Sequence, residues 1–122
     1  MSVLEQVRNL REMEREEVTD QMSRRMIIGA NQMLTVWNMK KGSHSAAHRH
    51  PEEQIFWIVS GLIEFEIDGQ RRRCGPNDVG VIPGNTLHEA WVLEDVEMAN
   101  LFSPVRNDYL TQGALDYMKE TK

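Results

Sequence analysis

The chain has 122 residues, 40% of them hydrophobic and 27% charged, with a formal net charge of −5; that leaves room for one modest core and excludes a second, separate catalytic domain. The acidic balance argues against nucleic acid as a partner, and no run approaches the roughly 18 apolar residues of a membrane span. Acidic residues stand near the N-terminus where a secretory signal would carry its apolar stretch, so a cytoplasmic protein is expected.

Residues 3–17, VLEQVRNLREMEREE, are rich in helix formers and set Val3, Val7, Leu10 and Met13 at helical spacing, which predicts one or two turns of amphipathic helix. From Met33 the period becomes two: Met33, Thr35, Trp37 and Met39 alternate with Leu34, Val36, Asn38 and Lys40 up to Gly42, a strand ending at a turn. Met33, Trp37 and Met39 would share the inner face of that strand. Asp68-Gly69 is a strong two-residue hairpin signal, because both positions tolerate positive φ. With that loop, Ile67 faces Gln70, Glu66 faces Arg71 and Glu64 faces Arg73. Opposite charges paired across strands contribute about 0.2–1 kcal/mol each, which assigns Arg71, Arg72 and Arg73 to a solvated face in preference to an anion site. Cys74, the single cysteine, cannot form an internal disulfide and is expected in the core.

Turn signals recur at Gly75-Pro76-Asn77-Asp78, Pro83-Gly84-Asn85 and Ser103-Pro104, each bounding a short apolar strand such as VGVI or HEAWVL. Many short strands at this spacing predict an all-β barrel or sandwich. Over residues 108–119, Leu110, Ala114, Leu115 and Met118 fall on one helical face with Asp108 available as a cap, which predicts a short terminal helix. No repeat or linker divides the chain, so residues 1–122 form one domain with its barrel core at about 24–107.

His48 and His50 stand two apart, so alternation turns both rings to one face. Gln54 can return to that face after a bulge or turn at Pro51, and His88 opens the strand HEAWV. Three imidazoles and an amide oxygen make a reasonable ligand set for one divalent transition metal ion, with zinc, nickel, iron and manganese all open. The alternative for an H-x-H pair alone is a surface or hydrogen-bonded core role. His44 lies outside the ligand spacing and is expected to face solvent in a loop. Glu53 and Glu89 flank ligands and could anchor the second nitrogen of an imidazole. Trp91 is offset by an odd number from His88, so it points to the opposite face and could pack in a dimer interface.

The spacing Gly42-x5-His48-x-His50-x3-Gln54-x6-Gly61, followed by Pro83-x4-His88, resembles the two motifs of the cupin superfamily. The resemblance implies a double-stranded β-helix, or jelly-roll barrel, holding a metal inside, here flanked by short N- and C-terminal helical segments. The segments HRHPEEQIFWIVSG, FEIDGQ, NDVGVIPGNTLHEAWVLED and NLFSPVRNDYL are similar to the KdgF-type cupins of pectin and alginate breakdown. That group uses three histidines and a glutamine for its metal, matching His48, His50, His88 and Gln54, and promotes ring opening and ketonisation of unsaturated uronates. Its tail pattern D-x-F-S-P-x-R lends an aspartate, a phenylalanine and an arginine to the pocket; Phe102, Ser103, Pro104 and Arg106 match. Asn100 stands where the motif has its aspartate, and an amide does not shuttle protons as a carboxylate can. Phe56, two residues beyond Gln54, stands where members often have a small residue and would shrink the pocket.

Arg106 can grip a carboxylate with two parallel hydrogen bonds; the alternative is a surface ion pair with Glu94 or Asp95. Arg106, Phe102, Phe56 and Trp37 are thus the candidate substrate-binding residues, with Arg106 and Asn100 the candidate catalytic ones. The expected function is metal-assisted tautomerisation, isomerisation or lyase chemistry on a small anionic molecule, a sugar acid or keto acid. An iron-dependent dioxygenase and a non-catalytic metal- or ligand-binding barrel are the alternatives. Small cupins are commonly dimers, so a homodimer is expected.

Overall fold

The computed structural model describes residues 2–119. Among the described residues there are eight strands: β1 (Glu16–Glu17), β2 (Met22–Ile28), β3 (Met33–Met39), β4 (His44–His48), β5 (Glu53–Ile67), β6 (Gln70–Cys74), β7 (Val79–Ile82) and β8 (His88–Ser103). All pairings are antiparallel, in the order β1-β2-β3-β8-β5-β6, with β4 joined to β8 and β7 to β5.

The two long strands, 15 and 16 residues, hold the architecture together. The first half of β8 lies between β4 and the second half of β5, and its second half lies between β3 and the first half of β5. Each long strand therefore serves both halves of the barrel and must bend in the middle. The bend falls where the β5–β8 register shifts, between Ile58 and Ile63. Gly61 permits it: its φ is +93°, and a Cβ there would stand 2.0 Å from the Asp95 carbonyl oxygen, so only glycine fits. The result is the all-β jelly-roll barrel that the motif spacing implies.

Period-two patterning builds the interior. Met33, Thr35, Trp37 and Met39 of β3, Gln54, Phe56 and Ile58 of β5, and Met98, Asn100 and Phe102 of β8 are all buried. The Asp68-Gly69 hairpin forms in the expected register, Ile67 opposite Gln70 and Glu64 opposite Arg73, and Cys74 is buried and unpaired. Arg71 bridges Glu64 and Glu66, and Arg73 reaches Glu64, on the outer face.

Short helical segments flank the barrel at both ends, as expected, and differ from expectation only in kind and length. In place of an N-terminal helix there are two 3-10 turns, Leu4–Gln6 and Leu10–Glu12. Val3, Leu4 and Val7 are exposed: no apolar surface lies beneath them to stabilise a helix. The segment is held instead by polar contacts, Arg11 gripping both oxygens of Glu97 and Arg25 donating to the Met13 carbonyl. At the other end the helix α1 (Asn107–Gln112) is only six residues long and is broken at Gly113, whose φ is +64°. A 3-10 turn, Asp116–Met118, follows. Leu115 and Met118 are buried while Leu110 is exposed, and the Asp108 side chain turns to Arg106 in place of capping the helix. No helix among the described residues is long and apolar enough to cross a membrane.

Candidate metal centre

His48 ends β4, His50 lies in the loop before β5, and His88 opens β8 directly opposite His48. Their ligand nitrogens all lie within 4.8 Å of one another. Each ring is aimed by its own stretch of backbone. His48 Nδ1 donates to the Ala46 carbonyl (2.7 Å), His50 Nδ1 to Glu52 (3.0 Å) and His88 Nδ1 to Thr86 (2.8 Å), in every case a residue two positions away. With the proton held on Nδ1, the Nε2 lone pair is the free one. Glu53 is exposed and Glu89 binds elsewhere, so main-chain carbonyls do the anchoring expected of those carboxylates.

Buried polar atoms normally have hydrogen-bond partners. His50 Nε2 and His88 Nε2 are buried and have none among the described residues, as lone pairs reserved for a cation would be. Burial pushes the His48 pKa down to about 3, with the neighbouring His88 adding to the effect, and burial together with Arg106 pushes His50 to about 4. His88 is lowered by burial as well. At neutral pH all three rings are therefore uncharged, the form that binds metal.

Gln54 is the second residue of β5 and is buried. Its Nε2 donates to Asn100 Oδ1 (3.0 Å), which fixes the amide and leaves Oε1 as the atom that could serve as a ligand. Asn100 thus has a structural task at the position of the motif's aspartate: it orients the Gln54 amide. Three neutral imidazoles and one amide oxygen suit a divalent transition metal, and the residues present fit one.

A cavity of about 50 Å³ adjoins this cluster, and Gln54, Asn100, Trp37, Phe102 and Arg106 all reach its wall. Phe102 meets the His50 ring edge-on at 5.6 Å. Phe56 does not line the cavity. It packs against the tilted Phe65 ring, centroids 4.6 Å apart, and over Gly80, its partner in β7, where a Cβ would come within 2.5 Å of the ring; the bare glycine gives the ring room to lie away from the centre. Arg106 is buried and bonded by Nε and Nη2 to the two oxygens of Asp108 (3.1 and 2.7 Å), with Glu52 at 4.0 Å. The surface pair with Glu94 or Asp95 does not form, because Arg106 points into the barrel.

His44 is not a solvent-facing loop residue. It opens β4, is buried, binds Glu89 through Nε2 and stacks on Trp91 at 5.6 Å. Arg71 covers the same indole at 4.3 Å, so the Trp91 ring finds its partners within its own chain. Sequence patterning also missed Tyr117. It lies parallel on the His48 ring, centroids 3.6 Å apart, with its hydroxyl buried and unpartnered. The tail that carries it is tied down by Arg24, which is wholly buried, stacks on Tyr109 and Trp37, and donates to the Tyr109 carbonyl. The apolar helical pattern over residues 108–119 marks Leu115 and Met118 and passes over Tyr117 between them.

A profile of the cupin domain matches residues 35–103. The chain is 29% identical over 98 residues to the pectin degradation protein KdgF of Dickeya dadantii (strain 3937), an alignment spanning 78% of this chain and 89% of that protein. Its fold superposes on the structure of KdgF from Halomonas sp. with a TM-score of 0.78 and 31% identity, over 82% of this chain and 94% of that one. An RmlC-like cupin from Shewanella frigidimarina NCIMB 400 shares the fold at a TM-score of 0.80 and 22% identity, over 85% and 95%. With the barrel, the histidine cluster and these likenesses together, the chain belongs to the cupin family and is a KdgF-like member of it.

Proposed function

We propose that this protein is a metal-dependent cupin that acts on a small carboxylate-bearing sugar acid or keto acid, by tautomerisation, isomerisation or related lyase chemistry. The observation that carries the reading is the set of three convergent, uncharged imidazoles whose Nδ1 protons are all held by main-chain carbonyls. A divalent transition metal, zinc, nickel, iron or manganese, held by His48, His50, His88 and Gln54, would supply Lewis-acid polarisation of a substrate oxygen. The chain's own residues bind and orient. Arg106 contributes the positive charge on the cavity wall, Trp37 and Phe102 contribute apolar contact that displaces water, and Asn100 keeps the Gln54 amide turned the right way. The likeness to a pectin degradation protein supports an anionic, sugar-acid class of substrate.

A non-catalytic binding barrel is the second reading, and Asn100 favours it: the side chain at that position holds Gln54 and carries no exchangeable carboxyl proton. Elemental analysis of the purified protein beside His50→Ala and Gln54→Ala, followed by assays of the metal-loaded protein on unsaturated uronates and small keto acids, separates the two. Near-stoichiometric metal that both variants lose, with turnover, supports the enzyme. Metal without turnover supports the binding barrel, and Fe(II)-dependent oxygen consumption moves the assignment to a dioxygenase. A protein that cannot be loaded sinks both enzyme readings and leaves a barrel whose three inward histidines need another partner.

The proposed assembly is a homodimer. Ile55 and Trp57 of β5 and Val81 and Val79 of β7 form cross-strand pairs on the outer face, all four exposed, and β7 has no second strand partner among the described residues. Such an apolar edge is suited to a second copy. Light scattering on the wild type and on Trp57→Glu should read a dimer and a monomer; a monomeric wild type refutes it.

A further inference from the structure

We propose that Tyr117 is a further binding residue of this site: its hydroxyl donates a hydrogen bond to a carboxylate oxygen of the bound molecule, and the tail that carries it swings at Gly113 to let that molecule in. The proposal rests on the reading of the site as one for small carboxylate-bearing molecules. Its first ground is the state of the hydroxyl. Tyr117 lines the cavity beside the histidine cluster, its ring laid on His48 with centroids 3.6 Å apart and planes 5° from parallel. Ser45 and Tyr109 also bring hydroxyls to that wall, but among the described residues only the Tyr117 oxygen is both shut off from water and without a partner. Buried phenol hydroxyls usually find a partner, and one that lacks it destabilises the state that buries it. A ligand oxygen placed against Tyr117 removes that cost.

The second ground is what Arg106 leaves undone. Its Nε and Nη2 are bonded to Asp108, so Nη1 remains for a ligand and the parallel pair of donors that a carboxylate takes best is not on offer. A carboxylate on Arg106 therefore has a second oxygen that needs a donor from another side chain. Tyrosine hydroxyls are donors at neutral pH. Tyr109, which packs on the same guanidinium at 4.1 Å, is fixed in the core against Trp37 and Phe102, whereas Tyr117 sits on a segment free to adjust.

The third ground is how that segment is held. Up to Gly113 the tail is tied by polar contacts, Arg24 Nη2 reaching the carbonyls of Tyr109 (3.3 Å) and Gly113 (3.5 Å). Beyond it, the described residues 114–119 make no hydrogen bond to the barrel; the backbone bonds of their 3-10 turn are internal, and Leu115 and Met118 hold by apolar burial. Gly113 has φ +64° and open space where a Cβ would stand. A chain end held this way is among the first parts of a fold to open. Opening takes Tyr117 and Met118 out of the wall of a cavity of about 50 Å³, and closing brings the hydroxyl onto the ligand.

Tyr117→Phe keeps the ring on His48 and removes only the hydroxyl. Calorimetric titrations of wild type and variant, each metal-free and zinc-loaded, with pyruvate and with galacturonate, a keto acid and a sugar acid, are expected to show about ten-fold weaker binding in the variant. Its metal content should be unchanged, and its ligand-free melting temperature unchanged or raised. The bound acid should also slow amide hydrogen exchange over residues 114–119 in wild type and not in Tyr117→Phe. Equal affinities overturn the proposal, as do tail amides that no ligand slows and the failure of both acids to bind either form of wild type. Weakening in Tyr109→Phe with none in Tyr117→Phe gives the contact to Tyr109 and overturns it too. A Tyr117→Phe protein that melts lower and loses its metal has lost a structural prop, which also refutes the proposal. Wild type that takes up no zinc, yet binds either acid through Tyr117, refutes the metal-dependent reading and leaves the proposal standing.

Discussion

Asn100→Ala removes the acceptor that holds the Gln54 amide, and it does so where water cannot take over: Asn100 is 3% and Gln54 6% exposed. Two consequences follow from the 3.0 Å bond. The metal-free protein is left with an unpaired buried amide donor, a loss of about 1–3 kcal/mol. The Gln54 oxygen also loses its fixed direction, and removing a group that orients a metal ligand weakens metal affinity by about 10–100-fold. Competition against a chromophoric chelator reads the second effect, and thermal melts of the metal-free protein read the first. Asn100→Asp keeps an acceptor at the same place, so it should retain the orientation and much of the affinity. If Asn100→Ala binds zinc as tightly as wild type, the Gln54 oxygen is not positioned by Asn100. If Asn100→Asp and Asn100→Ala lose affinity equally, the role assigned to the Oδ1 atom is wrong.

Acid should destabilise the metal-free protein in a defined window. His48 and His50 titrate near 3 and 4 in the folded chain against 6.5 ordinarily, so between those values the unfolded chain binds more protons and stability rises with pH. Melting temperatures should fall from pH 7 to pH 4.5, and a flat profile contradicts the burial of neutral imidazoles. Gly80→Ala sets a Cβ 2.5 Å from the Phe56 ring, an overpacking expected to cost about 1–3 kcal/mol. Chemical denaturation should show that loss, with Phe56→Leu relieving it in the double variant; additive effects would mean the ring is not the obstacle. His44→Ala should lower stability by stripping Trp91 and Glu89 of their partner while one equivalent of metal per chain remains, whereas His88→Ala should lose the metal; loss of metal in both refutes the assignment of three imidazoles. Size-exclusion elution of Val81→Lys should shift toward monomer if the β5–β7 face pairs two copies.

Local rules made part of this structure legible. The Asp68-Gly69 turn fixes its own register, the alternation over Met33–Met39 survives because one side faces the core, and the spacing of His48, His50, Gln54 and His88 marks a cluster because few folds bring such residues together. The features that escaped depend on partners distant in sequence. Nothing near His44 announces that Glu89 and Trp91 will cover it. The β2 strand, with Arg24 and Arg25 in its middle, reads as polar until Trp37 and Tyr109 are known to pack against the Arg24 guanidinium. The tail looked like a helix because its leucines and Met118 have helical spacing, while Gly113 and the stacking of Tyr117 on His48 divide it.

The three short stretches of backbone that aim His48, His50 and His88 have an evolutionary consequence. Each ring takes its direction from a carbonyl two residues away, so the imidazole geometry is encoded in small, nearly self-sufficient peptides and not in the surrounding side chains. Mutations can then exchange methionine for polar residues along the barrel wall, changing which molecules are admitted, without disturbing where the imidazoles point. Inheritance of the ion site and drift of the cavity are separable, and a lineage built this way can move among substrates while keeping one ancestral centre intact.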